Sequence, residues 1–320
     1  KWGKTFLKKA NVLVLLFLVG SLFLMGCQQT TDVAPEEGPY VGGFNGMQFA
    51  FQESEPPVAV LDDSQESFYF TLVVRNLGEF TVPEGRAIAS LSGVDANAFG
   101  MNSLDTKNLV EIQSVSPDQG FIIEGAEELL EFEEASYVND VATTFNIPIR
   151  ADLCYDYHTE ALTAPCLKQN VVRDSIGDVC DTTNPSLQLS NSGGPIQVSG
   201  MRQKAIGSSK VQFSFTVENV ADGIVYLPDT FTDSCRGGDD NKDMVEVTLR
   251  NPQNNFVAEC TALGKSNTGQ IRLVNKKKEL TCTVDTTSLQ EVSYQDIMFV
   301  DVDYMYREAI TTNLKVENAI

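Results

Sequence analysis

The sequence predicts an all-β protein, with two tandem antiparallel β-sandwiches set behind an N-terminal signal or anchor helix. Three observations carry this. Short runs of alternating apolar and polar residues recur at roughly 8–12-residue intervals, the spacing of sandwich strands. One such run occurs twice, each time with the same ending. The first 27 residues read basic, then apolar, then small, unlike anything downstream.

Lys1, Lys4, Lys8 and Lys9 precede an apolar run from Val12 to Met25, which ends in Gly26-Cys27. A basic head, a short apolar core and a small residue form an export signal. The run is shorter than the ~20 residues that a spanning helix needs. Leu24-Met25-Gly26-Cys27 resembles a bacterial or archaeal lipobox. That resemblance implies cleavage before Cys27, a lipid on its sulfur and residence on the extracellular face of the cell membrane. Two other readings stay open. One is an uncleaved signal-anchor helix in which Cys27 is an ordinary thiol. The other is a pilin-type leader cut near Lys8-Lys9, whose helix would hold a filament subunit. The polar Gln28-Gln29-Thr30-Thr31-Asp32 stretch breaks the apolar helix early for such a leader.

Residues 1–26 are therefore expected to be the signal. Residues 27–43, rich in Gly, Pro and acid, form a flexible stalk. Strand patterning begins after it. Phe68, Phe70, Leu72 and Val74 alternate with Tyr69, Thr71, Val73 and Arg75, and Asn76-Leu77-Gly78 follows. Period-two alternation puts the first set on one buried face. Val211, Phe213, Phe215 and Val217 repeat the pattern, ending in Asn219. A second match places Tyr155 and Tyr157 against Tyr304 and Tyr306, in the same order and at similar distance. The repeat unit is far longer than the 20–50 residues of a solenoid. It reads as one domain in two copies, 44–175 and 191–320, joined by a linker at 176–190.

Further strands are expected at 87–91, 110–115, 145–151, 244–249, 256–260, 270–273, 280–284 and 297–306. A stretch near 127–134 reads equally as helix. The strand ending Val-x-Asn-x-Gly resembles the CARDB-type and related immunoglobulin-like modules of prokaryotic surface proteins, over about ten residues per copy. That resemblance implies immunoglobulin-like sandwiches on a surface lipoprotein.

Composition limits the function. The net charge is −21, and the four lysines of the signal face no acid, so the remainder carries −25 (−21 − 4). Such a balance argues against nucleic acid and anionic membranes, which select basic patches. Seven cysteines leave six after Cys27: Cys154, Cys166, Cys180, Cys235, Cys260 and Cys282. An even number in an exported chain points to three disulfides, with 15 possible pairings. Cys154 and Cys166 flank a Pro-containing turn, and Cys260 and Cys282 fall on successive strands. Those two pairs are expected, with Cys180–Cys235 by elimination.

Few residues suggest chemistry. Asp239, Asp240 and Asp243 lie in a Gly-containing acidic loop (233–243) and form a weak calcium candidate, without the EF-hand spacing. Otherwise no cofactor or metal site is expected. The run Glu124, Glu127, Glu128, Glu131, Glu133 and Glu134 reads as a solvated face rather than paired glycosidase carboxylates. Gly264-Lys265-Ser266 lacks the earlier glycine of a phosphate loop. His158, the sole histidine, has no nucleophile motif beside it and reads as an exposed polar residue. Tyr155, Tyr157, Tyr304 and Tyr306 have i, i+2 spacing, so each pair shares a strand face. They form either an aromatic contact patch or a covered sheet face.

The expectation is a lipid-anchored, non-enzymatic surface protein acting in interaction, adhesion or envelope scaffolding. Its partners would be the membrane, through the anchor, and a surface protein or glycan. A solute-binding lipoprotein and an anchored filament subunit are the alternatives.

Overall fold

A computed structural model of the chain describes residues 39–104, 106–173, 175–182, 186–230, 235 and 238–319. The signal, Cys27 and residues 28–38 of the stalk lie outside the described residues, as do Asp233, Ser234, Arg236 and Gly237 of the acidic loop. The first copy supplies β1 (Met47–Phe51), β2 (Ala59–Leu61), β3 (Thr71–Asn76), β4 (Ala87–Ser92), β5 (Lys107–Asn108), β6 (Ser116–Asp118), β7 (Phe121–Ile123), β8 (Glu127–Glu131), β9 (Phe145–Thr163) and β10 (Cys166–Leu167). From the linker onward come β11 (Leu189–Asn191), β12 (Ile196–Ile206), β13 (Lys210–Asn219), β14 (Ile224–Tyr226) and β15 (Met244–Arg250). They are followed by β16 (Ala258–Cys260), β17 (Thr268–Arg272), β18 (Lys277–Asp285), β19 (Tyr294–Gln295) and β20 (Met298–Glu317). Two single 3-10 turns are the only helical elements among the described residues, so the all-β expectation holds.

The alternating strands bury the residues that their period selects. Phe70 just before β3, Leu72 and Val74 on it, and Val211, Phe213, Phe215 and Val217 on β13, are all at most 2 % exposed. Each such side chain stabilises by roughly 1.5–3 kcal/mol through burial. β3 is the centre of a sheet ordered β1-β3-β8, and β13 lies inside β12-β13-β18-β16. The third large sheet runs β17-β15-β20-β9-β4-β5, with β2, β11 and β14 added at its edges. Its right half belongs to the first copy and its left half to the second. The two copies are thus joined through one shared sheet, within a single unit spanning Gly38–Ile320.

The joint is the pairing of β9 with β20, which runs antiparallel without a slip from Phe145↔Val316 to Thr163↔Met298. Both strands extend far beyond the expected 145–151 and 297–306, because each completes the other's ladder. Asp156 faces Met305 two positions from the middle of this ladder, at the pseudo-two-fold centre that relates the two copies. A residue of β9 and the residue 149 positions later on β20 hold equivalent places about that centre. The equivalence extends outward. Met47 pairs with Asn76, and Ile196 pairs with Asn219. The two asparagines then close the same turn. Asn76 Oδ1 accepts from Gly78 N at 3.1 Å, and its Nδ2 donates to the Phe80 carbonyl at 2.8 Å. Asn219 Oδ1 accepts from Ala221 N at 3.2 Å, and its Nδ2 donates to the Gly223 carbonyl at 3.0 Å. Such a side chain stands in for backbone partners at a buried strand end.

Two expected elements differ. Residues 110–115 form no strand: Ile112 makes one isolated bridge to Val82, and Val115 N turns away to the Gly78 carbonyl. The glutamate-rich stretch is strand β8, where Leu130 is buried and Arg75 pairs with Glu127 across to β3. Packing against β3 overrides the helical preference of glutamate.

The disulfides are Cys154–Cys235, Cys166–Cys180 and Cys260–Cys282. The last is as expected; the other two pairings correct the expectation. β9 runs nine residues beyond Cys154 before it ends at Thr163. An extended chain of that length spans about 30 Å, which carries Cys166 out of reach of Cys154. Cys154 instead bonds to the loop after β14.

Candidate functional site

The β9/β20 joint has two faces, set by strand alternation. Odd residues of β9 and even residues of β20 point inward, and they include Tyr155, Tyr157, Tyr304 and Tyr306. All four are at most 2 % exposed, so they form no surface contact patch. They stack on one another, with ring centroids 5.7–6.3 Å apart. Their hydroxyls meet the ends of both copies. Tyr155 accepts from Met47 N at 3.2 Å and Tyr304 from Ile196 N at 3.4 Å. Tyr157 accepts from Phe80 N at 3.3 Å and Tyr306 from Gly223 N at 2.8 Å. Burial raises the pKa of all four above the ordinary tyrosine value. This is the covered-sheet reading of the pattern, with each buried hydroxyl given a partner.

The opposite face is charged. Asp152 and Asp301 are equivalent, as are His158 and Arg307. Asp152 accepts from Arg150 at 2.7 and 2.9 Å, and from Arg307 at 2.9 and 3.1 Å. Burial alone would raise its pKa, but these hydrogen bonds hold it below the usual carboxylate value. Asp301 accepts from Arg250 at 2.8 and 3.1 Å, and Glu160 accepts from the same guanidinium at 2.5 Å. His158 is half-buried rather than exposed, with Nδ1 2.8 Å from Asp303 Oδ1. Burial pulls its pKa down, but Asp303, Asp301 and Glu160 outweigh it and the pKa is raised. Ligand atoms of His158, Glu160 and Asp301 lie within 4.8 Å of one another, a spacing that a metal ion fits. The Arg250 guanidinium bonds both carboxylates, so the cation balancing them is part of the chain. Asp239, Asp240 and Asp243 do not gather into such a group among the described residues. Asp239 and Asp240 are exposed on a 3-10 turn, and Arg272 donates to the carbonyls of Asp240 and of Lys242 just after it.

The two ends of the joint differ in one respect. Beside Tyr304, Thr159 Oγ1 lies 2.8 Å from the hydroxyl, and Gly194 seals the space above it. A Cβ on Gly194 would stand 2.6 Å from Thr159 Oγ1, so only glycine closes so tightly. At the equivalent end, Thr159 is replaced by Glu308, and Gly193-Gly194 by Phe44-Asn45. A cavity of about 530 Å³ opens there, lined by Phe44, Asn45, Arg150, Arg307, Glu308 and the turn 220–224. Phe44 is 63 % exposed. Glu308 receives the Tyr155 hydroxyl, and desolvation pushes its pKa up to about 7. A pocket with an exposed ring, two arginines and a perturbed carboxyl is the default shape of a binding site. None of its residues stood out in the sequence. The signal was there: with the copies aligned at 149, Glu308 and Phe44-Asn45 are the positions where they disagree around the tyrosines.

No protein-family model and no curated protein matches the sequence. Among solved structures, the secreted serine protease VesC from Vibrio cholerae aligns with 81% of this chain at 10% identity and a TM-score of 0.18. The alignment covers 50% of VesC, so this chain spans half of that protein's length. The serine-rich repeat adhesion glycoprotein Srr1 from Streptococcus agalactiae aligns with 88% of this chain and 99% of its own, at 8% identity and a TM-score of 0.17. CfaE, the adhesive subunit of the CFA/I fimbria of enterotoxigenic Escherichia coli, aligns with 89% and 92%, at 10% identity and 0.11. Scores this low carry no argument, and the fold rests on the strands themselves.

Proposed function

We propose that this chain is an exported protein, lipid-tethered through Cys27 to the extracellular face of the membrane, which binds a surface protein or glycan. The supporting observation is that all six later cysteines are paired. Disulfides form and persist in oxidising compartments. The acidity of the chain suits a solvated cell surface and opposes nucleic-acid binding. Interaction is favoured over catalysis because the polar groups of the joint are committed to one another. His158 is held by Asp303, and Arg250 occupies Asp301 and Glu160.

The test is intact-protein mass spectrometry on membranes, combined with protease shaving of whole cells. A lipid on Cys27 and release of residues 39–319 fragments by external protease are expected. A soluble protein with reduced cysteines inside the cell would sink the reading. A second reading, a small solute held by the chain, is favoured by the cavity beside Glu308, whose volume lies within the ~300–1,000 Å³ of ligand pockets. Thermal-shift screening of wild type against Glu308→Gln with sugars and amines separates the two.

A further inference from the structure

β20 has one edge on β9 and another that is only partly covered. Along that second edge, β15 pairs with residues up to Asp303 and β14 with Met305–Arg307. Coverage resumes only where β2 runs parallel from Lys315. Between them lie the seven residues Glu308–Leu314, paired on one side with β9 and, among the described residues, with no strand on the other. The direction of their backbone groups follows from one bond. Lys315 N donates to the Val58 carbonyl at 3.1 Å, toward this edge. Backbone groups alternate along a strand, so Ala309, Thr311 and Asn313 also aim their N–H and C=O groups into the gap. All three residues are exposed.

The equivalent place in the first copy is filled. There β11 lies antiparallel on β9, with Leu189 opposite Thr163 and Asn191 opposite Ala161. Ser192 N then donates to the Glu160 carbonyl at 2.8 Å. Adding 149, this is the position of Ala309–Thr312. The segment that would match β11 by the same offset is Tyr40–Gly42, and it lies elsewhere, bonded through its backbone to Glu79 and through the Tyr40 hydroxyl to Glu160.

We propose that Glu308–Leu314 is a strand-accepting slot, into which a partner protein inserts one extended segment antiparallel to β20. This rests on the interaction reading above and gives its mode. Main-chain bonds would supply affinity, and alternate side chains of the guest would supply selectivity. The occupant is a single strand rather than a second copy of the slot. β14 and β2 project in the sheet plane on either side, so two such recessed edges cannot meet. Its chemistry is proline-free and neutral to basic. Proline cannot complete a ladder, and the guest meets exposed Asp222 on a chain of strongly negative charge. The slot has no proline or lysine of its own, the usual guards of an open edge. Its recess keeps other sheets out while admitting a strand.

The probe is a synthetic peptide copying residues 187–193, the segment that fills the equivalent place. Binding to the folded, disulfide-intact protein is read by fluorescence anisotropy and by residue-resolved hydrogen exchange. The expected result is slowed exchange at Ala309, Thr311 and Asn313, abolished by N-methylation of alternate peptide amides. Thr311→Pro removes an outward N–H while sparing the ladder to β9, and should weaken binding by about tenfold. A peptide with glutamate at both serine positions should bind more weakly still. No protection at 308–314, or equal binding by the N-methylated peptide, overturns the proposal, and the N-methylated arm does so whether or not the variant folds. Protection of these amides by dimerisation without peptide would overturn it in favour of a second copy. Failure of the surface tests with protection intact would remove the location and leave the slot. Surface exposure with an unprotected slot would do the reverse.

Discussion

Thr159 and Glu308 hold the same place in the two copies, and each meets a tyrosine hydroxyl: Tyr304 for the threonine, Tyr155 for the glutamate. The substitution puts a carboxyl where its counterpart has a neutral hydroxyl. Glu308 keeps its proton to about pH 7, against an ordinary value of 4.5. A carboxyl whose folded pKa is raised binds protons more tightly when folded, so stability falls as pH rises from 4.5 to about 7 and then levels. The full loss is roughly 3 kcal/mol. Glu308→Gln should flatten this slope and be the more stable protein at pH 8. Urea denaturation at pH 5, 6, 7 and 8 decides it: parallel curves for both proteins would refute the assignment.

His158 is the sole histidine, so its imidazole gives a single titration curve. Asp303, Asp301 and Glu160 raise its pKa despite burial. The stabilisation is present below the ordinary 6.5 and is lost as pH rises through the higher folded value. NMR titration should give a midpoint above 6.5, and Asp303→Asn should bring it down. A wild-type midpoint below 6.5 would mean that desolvation wins.

The twin turns predict twin costs. Asn76→Ala leaves the Gly78 N–H and the Phe80 carbonyl without their partner, and Asn219→Ala does the same at Ala221 and Gly223. Each should cost about 1–3 kcal/mol. The two turns share no partners, so the double variant should lose the sum. Calorimetric melting of the three variants checks this; a double variant no worse than either single would contradict two independent turns.

The corrected disulfides predict an order. Cys154–Cys235 closes a separation of 81 residues and Cys166–Cys180 one of 14. Chain entropy gives losses of about 4.5 and 3 kcal/mol on removing each by paired Cys→Ser changes. Peptide mapping without reductant should recover these two pairs, and recovery of Cys154 linked to Cys166 would restore the sequence expectation.

What the sequence made legible was local. Phe213, Phe215 and Val217 alternate cleanly, and an asparagine that ends a strand announces itself twice. The length of β9 was hidden, because Arg150, Asp152 and Asp156 interrupt its apolar pattern. Those charges sit on the outer face and find partners far along the chain or beside them: Asp152 is held by Arg307 and Arg150, Asp156 by Arg86, and His158 by Asp303, 145 residues away. Disulfide partners were hidden for the same reason: Cys235 reaches Cys154 through a loop whose path the local pattern does not encode. The cavity depends on what is missing, a glycine pair replaced by Phe44-Asn45, and absence shows only when the copies are laid side by side.

The unbroken β9/β20 ladder, with its pseudo-two-fold centre at Asp156 and Met305, has the self-complementary form of a homodimer interface about a two-fold axis. Carried in one polypeptide, such a dimer never dissociates, since each half holds its mate at high effective concentration. A true homodimer must change both halves with every mutation. Here ancestry can be read as a dimer sewn into one gene, which freed one end to keep its seal while the other became open ground for selection.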